Sequence, residues 1–244
     1  PSTIRGYVAY DSVHSKWFVY YETGGNGFTL QSTDRITWSG NAWPINLYVG
    51  CVACLSPTGT FIVISPDIPY TSAQTIRTAD GGASFTSSYN CLPSPVVTAG
   101  SLLFSNLLYD TITGNWFVTT WAGTVSKLYR STDDGVTWAV FIDLPTIAIK
   151  RIYSIGTLFL AYAQIAGYPS GVGAWIYAEN VGNDPAVEWK LCDFGATPVI
   201  ETAVAHAPNM IDNALYTYGG FAFLSSTSIL WRSLRSGLTG RVVP

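Results

Sequence analysis

The sequence is poor in charge. Asp, Glu, Lys and Arg together make up 11% of its 244 residues, against roughly 25% in ordinary soluble domains. Twelve Lys plus Arg against fifteen Asp plus Glu leave a net charge of −3, and basic residues cluster nowhere, which excludes a nucleic-acid partner. Also missing is any run of about 18 apolar residues, because Gly, Ser, Thr or Pro interrupts every candidate, so no membrane insertion is expected. The two histidines, His14 and His206, share no motif with Cys or a carboxylate, which excludes a zinc site or a His-activated nucleophile. Four cysteines (Cys51, Cys54, Cys91, Cys192) are too few for a disulfide framework in a chain of this length. Cys51 and Cys54 form a CxxC, but an extended strand points them to opposite faces; they are expected to be reduced core thiols, with no metal and no cofactor. The opening Pro1-Ser2-Thr3 has neither the basic flank nor the apolar segment of a secretory signal, so synthesis and folding in the cytosol are expected. No stretch sustains a 3.6-residue period, so helix is nearly absent.

Apolar and aromatic residues are abundant instead: 48% hydrophobic and 14% aromatic, with nine Trp and fifteen Tyr. This surplus must be packed inside or against other chains. Self-similarity organises it. Tyr10-Asp11 followed by Trp17-Phe18-Val19 matches Tyr109-Asp110 followed by Trp116-Phe117-Val118 at identical spacing. A second unit reads SxDxGxTW from Ser131 through Asp133, Gly135 and Trp138. Ser32, Asp34 and Trp38 form a copy one residue shorter and without the glycine, while Thr78, Asp80, Gly82 and Phe85 form a copy with Phe for Trp. Degenerate copies lie near Trp175 to Trp189 and at Leu230 to Ser233. The unit recurs about every 50 residues, and each copy reads as short β runs punctuated by Gly, Pro, Asn and Ser. Four antiparallel strands per unit describe a propeller blade. The expected fold is therefore all-β, a single five-bladed propeller domain over 1–244 with four-stranded antiparallel blades near 1–43, 44–95, 96–145, 146–198 and 199–244. In the third unit the strands are expected near 101–109, 115–121, 126–131 and 137–142.

The SxDxGxTW element resembles the Asp-box, or bacterial neuraminidase repeat, of sialidases and many other β-propellers. That resemblance implies a turn between the third and fourth strands of each blade, with a structural role for Asp34, Asp80 and Asp133. The side-chain oxygens accept bonds from turn amides, Gly supplies the left-handed conformation, and the aromatic packs beneath. In its scarcity of Lys and its Thr, Ser, Gly and aromatic content the chain also resembles bacteriophage virion proteins. That second resemblance implies a tail, fibre or capsid-decoration component located in the virion and made in the host cytoplasm, with other virion proteins, a homo-oligomer or a host-surface glycan as partners. An extracellular or cell-surface location remains the alternative.

If the box turns mark one face, function is expected on the opposite face, whose loops carry Trp43, Asp67, Tyr70, Tyr89, Asn90, Asp143 and Tyr168. Aromatic rings complement the flat apolar faces of sugars. A glycosidase needs two carboxylates flanking a bond. Of eleven Asp and four Glu, the box and turn positions leave Glu22, Asp67, Asp143, Asp193, Glu201 and Asp212, and no pair has diagnostic spacing. The Arg-Ile-Pro of sialidases is absent: Arg5 precedes Gly6, and Arg151 precedes Ile152 and Tyr153. No catalytic residues are assigned. The expected function is non-enzymatic binding and assembly, with a divergent sialidase-like or other glycoside hydrolase, or a bacterial lectin, as the alternatives.

Overall fold

The computed structural model describes residues 6–23, 26–40, 50–67, 72–95, 97–98, 101–155, 157–166, 174–179, 184–186, 188–191, 220–224, 230–234 and 240–243. All of their regular structure is β. The first sheet runs β1 (Gly6–Asp11), β2 (Lys16–Thr23), β3 (Asn26–Ser32) and β4 (Ser39–Gly40). The second runs β5 (Val52–Leu55), β6 (Phe61–Asp67), β7 (Ser72–Thr78) and β8 (Thr86–Tyr89). A small ladder, β9 (Val97–Thr98) with β10 (Ser101–Leu102), precedes the third sheet. That sheet comprises β11 (Phe104–Asp110), β12 (Asn115–Ala122), β13 (Val125–Ser131) and β14 (Ala139–Leu144). The fourth comprises β15 (Ile147–Ile155), β16 (Leu158–Ile165), β17 (Ala174–Glu179) and β18 (Lys190–Leu191). A C-terminal sheet holds β19 (Gly220–Leu224), β20 (Leu230–Leu234) and β21 (Gly240–Val243).

Each four-stranded sheet is an antiparallel meander whose spatial order equals its chain order. The C-terminal sheet has three strands among the described residues, one fewer than the repeat leads one to expect. In the third sheet β11 starts at Phe104 rather than 101, because Ser101 and Leu102 pair with β9 instead.

The four large sheets stand face to face in chain order, their first strands side by side: β1 next to β5, β5 next to β11, β11 next to β15. One apolar cluster fills each seam. Phe18, Tyr20, Phe61, Val63 and Ile76 join the first sheet to the second. Ile62, Ile64, Leu107, Trp116, Val118, Tyr129 and Trp138 join the second to the third. Leu108, Phe117, Leu128, Ile152, Phe159 and Ile176 join the third to the fourth. Successive strand residues point to opposite faces, so in β12 Trp116 and Val118 enter one seam while Phe117 enters the next. A strand buried on both faces is apolar throughout instead of alternating, and stacked sheets of this kind produce a chain with mean hydropathy of +0.25. The same alternation separates the CxxC: Cys51 packs into the first seam and Cys54 into the second, and neither forms a disulfide. Burial pushes the Cys54 thiol up to about 11.

The repeated Tyr-Asp…Trp element is a hairpin. Tyr10 pairs with Trp17 and Tyr109 with Trp116 in the same register, ring centroids 5.0 and 5.1 Å apart. Buried Asp11 and Asp110 hold the intervening turns by accepting bonds from the backbone amides of residues 13 and 14, and of 112 and 113. Asp11 also lies 2.6 Å from His14 Nδ1, whereas Asp110 accepts from the Thr113 hydroxyl and, across the seam, from Ser154 Oγ at 2.8 Å.

Candidate functional site

The two edges of the sheets carry different chemistry, and the turn-bearing edge is internally satisfied. Between β3 and β4, Asp34 accepts from the amides of Ile36 and Thr37 at 2.8 and 2.7 Å, and Ser32 Oγ donates to it at 3.0 Å. Between β7 and β8, Asp80 accepts from Ser84 N and Thr78 Oγ1, while Gly82 N donates to Thr78 Oγ1 at 3.0 Å. Between β13 and β14, Asp133 accepts from Thr137 N and Ser131 Oγ, both at 2.8 Å, and Gly135 N donates to Ser131 Oγ at 2.8 Å. Hydrogen bonds to a carboxylate favour its ionised form. The Thr37 hydroxyl and amide hold Asp34 well below the usual carboxylate range, and the Ser84 hydroxyl and amide do the same for Asp80. At Asp133 partial burial works upward, but the bonds from Thr137 and Ser131 outweigh it and the net shift is down.

One residue beyond Asp133 links two sheets. Asp134, at φ 60°, accepts from Arg77 Nη2 at 2.6 Å, Thr60 Oγ1 at 2.7 Å and Trp116 Nε1 at 3.0 Å, while its backbone carbonyl accepts from Arg77 Nε at 2.7 Å. Its neighbour Gly135 has φ 83°, and a Cβ there would come within 2.1 Å of Ile62 Cδ1. In the first sheet the left-handed position is Arg35, at φ 65°, whose guanidinium lies over the Trp17 ring.

The aromatic that ends each turn meets a different environment. Trp138 is buried in the seam with the second sheet, Phe85 is half-buried against the seam with the first, and Trp38 is 38% exposed. No described residue packs a further sheet against Trp38's face.

The loop-bearing edge collects the other sequence-predicted residues, with a correction to where they sit. Asp67 and Tyr89 are the last residues of β6 and β8, and Asp143 lies within β14, so all three are strand residues rather than loop residues. The hairpin ladders extend further than the turn-forming residues suggest: Asp67 still pairs with Ser72, Tyr89 with Gln74 and Asp143 with Lys127. Asn90 follows at φ 51°, turning the chain into the segment 91–95. That segment is fastened to both sheets. Cys91 N donates to Ala73 O at 2.9 Å, and Ser94 O accepts from Lys127 Nζ at 2.9 Å and from Tyr129 OH at 3.3 Å. Burial, with a contribution from Asp67, pushes the Cys91 thiol up to about 12, and burial with a contribution from Asp143 pushes Tyr129 up to about 12.

The structure thus brings Asp67, Tyr89, Asn90 and Asp143 to one edge of the second and third sheets, with Lys127 beside them. Tyr89 is 56% exposed. A planar ring, a cation, two carboxylates and backbone carbonyls can hold a polyhydroxylated ligand. Sequence reasoning missed Lys127, whose only signal is its place opposite Asp143. It also missed that Lys150 lies over the Trp121 ring, 2.9 Å from the centroid, which occupies that ring's face with a cation. Arg151 donates to the carbonyls of Ser105 and Lys150, both at 3.1 Å. Trp43, Tyr70 and Tyr168 lie outside the described residues, as do Cys192, Asp193, Glu201, His206 and Asp212. Among the described residues no three His, Cys, Asp or Glu side chains group as metal ligands.

No protein-family model matches the chain, and no curated protein matches its sequence. Solved structures do match. YCF48 from Cyanidioschyzon merolae superposes with a TM-score of 0.58 at 14% identity, over 94% of this chain and 67% of that one. The α-L-arabinofuranosidase Arb93A from Fusarium graminearum gives 0.54 at 10% identity, over 97% and 76%. The Hadza microbial sialidase Hz136 gives 0.52 at 10% identity, over 77% of this chain and 46% of the sialidase, so the chain spans about half that enzyme's length. At these identities the likeness is one of fold: an all-β, propeller-type arrangement of four-stranded antiparallel sheets.

Proposed function

We propose that the chain is a five-bladed propeller module that acts by binding and assembly, as a tail, fibre or capsid-decoration component of a virion. Its four large sheets and its C-terminal sheet are the five blades, and the turns at Asp34, Asp80 and Asp133 are Asp-box turns. The partners are other virion proteins, a second copy of the chain, or a host-surface glycan met by the loop-bearing edge. Scarce Lys with abundant Thr, Ser, Gly and aromatic residues is the support for the virion assignment, and one observation carries its non-catalytic part: Asp11, Asp34, Asp80, Asp110, Asp133 and Asp134 all accept bonds from their own turns or from the next sheet. Carboxylates fixed in this way, three of them with depressed pKa, make poor general acids. Exposed Tyr89 supplies an anchor that loses little side-chain entropy on binding.

A glycoside hydrolase is the second reading, favoured by Asp67 and Asp143 at the loop-bearing edge of adjacent sheets. A glycan array probed with the purified chain, followed by affinity measurements on any glycan retained, tests both. On the binding reading Tyr89→Ala weakens affinity about tenfold or more, Trp43→Ala or Tyr168→Ala does so if that residue also anchors the glycan, and no product forms. Hydrolysis that disappears with Asp67→Asn or Asp143→Asn replaces binding with turnover.

A further inference from the structure

Asp134 bridges the second and third sheets because Thr60 Oγ1 and Arg77 Nη2 donate to its carboxylate and Arg77 Nε to its carbonyl. The repeat carries the same positions to the seam between the first sheet and the second. Arg77 stands one residue ahead of the second box and opposite Ile62; Gln31 stands one residue ahead of the first and opposite Phe18. Thr60 precedes Phe61, which pairs with Thr78, as Lys16 precedes Trp17, which pairs with Ser32. Asp134 follows the aspartate of the third box, and Gly81 follows that of the second.

Half of the link is kept at the earlier seam. Lys16 Nζ donates to Gly81 O at 2.8 Å, as Arg77 Nε does to Asp134 O at 2.7 Å. The carboxylate is missing, and the fold excludes one from that position: Gly81 has φ 65°, and a Cβ on it would come within 2.7 Å of His14 Cβ. The donors that would meet it remain. Lys16 uses one of its three N–H groups on Gly81, leaving two, and among the described residues no carboxylate lies within ion-pair distance of it. Neither end of the Gln31 carboxamide has a partner among the described residues, and Oε1 is buried. A groove of about 310 Å³ opens beside the two side chains, lined also by Thr33, Thr37, Trp38 and Ser39. The nearby Asp34 is already engaged by Ser32, Ile36 and Thr37. A cation, an unpaired amide and the ring of Trp38, which is 38% exposed, suit an anion with an apolar part.

We propose that this groove binds a carboxylate-bearing organic acid. Its carboxylate takes between Lys16 Nζ and Gln31 Nε2 the place that Asp134 takes between Thr60 and Arg77, and its apolar part lies against Trp38. The site belongs to the turn-bearing edge, goes beyond the binding function assigned to the opposite edge and does not rest on it.

Titration of the isotope-labelled full chain with phenylacetate, followed by NMR at the backbone amides of residues 31–39, tests this, with phenylacetamide and inorganic phosphate as parallel probes. Phenylacetate is expected to bind at least about tenfold more tightly than either, because the amide lacks the charge and phosphate lacks a part for Trp38 to cover. Gln31→Glu puts a carboxylate of the chain's own beside Lys16 and is expected to weaken phenylacetate at least about tenfold with no fall in Tm. Gln31→Arg restores the residue type of Arg77 and is expected to tighten it, and Tyr89→Ala leaves it unchanged. No binding of phenylacetate, equal binding of phenylacetamide or phosphate, unchanged affinity in Gln31→Glu, or loss of binding in Tyr89→Ala overturns the proposal. None of these readouts involves a glycan or turnover, so they stand or fall apart from the function proposed for the loop-bearing edge.

Discussion

The turn-bearing and loop-bearing edges of the same sheets use the same residue types in opposite ways. On the first, Asp133 accepts two bonds from Thr137 and one from Ser131, and Asp134 ties Arg77, Thr60 and Trp116 together. On the second, Asp67 and Asp143 stand at strand ends beside an exposed ring and the segment 91–95. An acidic side chain is informative about function through the bonds it already makes. Carboxylates saturated by turn amides hold the fold, so on the proposed function ligand chemistry is sought at the opposite edge, where Asp67 and Asp143 lie near the ends of their ladders.

Substitutions graded by the number of lost partners can break that contrast. Gly135→Ala is the most damaging, because the residue has φ 83° and its new Cβ meets buried Ile62; a loss of about 2–4 kcal/mol in unfolding free energy is expected by denaturant titration. Asp134→Ala comes next. It removes the carboxylate acceptor of Arg77 Nη2, Thr60 Oγ1 and the Trp116 indole N–H, while Arg77 Nε keeps the backbone carbonyl, at about 1–2 kcal/mol once the partial exposure of the pair is allowed for. Asp133→Asn follows at about 1 kcal/mol, the scale of a capping bond, which lowers Tm by about 2–4 °C in a chain of this size.

Acid probes the same edge without mutation. The folded-state pKa values of Asp34, Asp80 and Asp133 lie below their unfolded values. Their contribution is therefore complete above about pH 4 and is lost as pH falls further, through the folded values. Thermal scans are expected to be flat from pH 7 to pH 5 and to decline below pH 4, less steeply in Asp133→Asn. Tyr89→Ala is the smallest perturbation of stability, within about 0.5 kcal/mol for an exposed residue.

The turn-bearing edge was legible in the sequence because its contacts are local. The spacing of Tyr10, Asp11 and Trp17 fixes one hairpin, and Ser131 to Trp138 spans one turn, so repetition at fixed offsets exposes both. What escaped depends on neighbours distant in the chain. Asp134 meets Arg77 from the preceding sheet, and no local pattern announces that pair. Trp38 and Trp138 occupy equivalent sequence positions yet differ in exposure, 38% against 7%, because burial is set by the sheet alongside. Asp67, Tyr89 and Asp143 read as loop residues because Gly, Pro, Ser and Asn nearby signal turns, whereas their ladders continue past those signals. Lys127, opposite Asp143, and Lys150, over the Trp121 ring, carry no motif at all.

Carboxylates at the turn-bearing edge support the fold, and on the proposed binding function those at the loop-bearing edge take no part in hydrolysis. Thermal unfolding and product release measured in parallel for Asp133→Asn and Asp143→Asn, on the glycan best retained by the wild-type chain, test this most directly. Expected are a Tm lowered by about 2–4 °C for Asp133→Asn, a Tm within about 1 °C of wild type for Asp143→Asn, and no product from any of the three proteins. Glycan hydrolysis by the wild type that Asp143→Asn abolishes at unchanged Tm would contradict it.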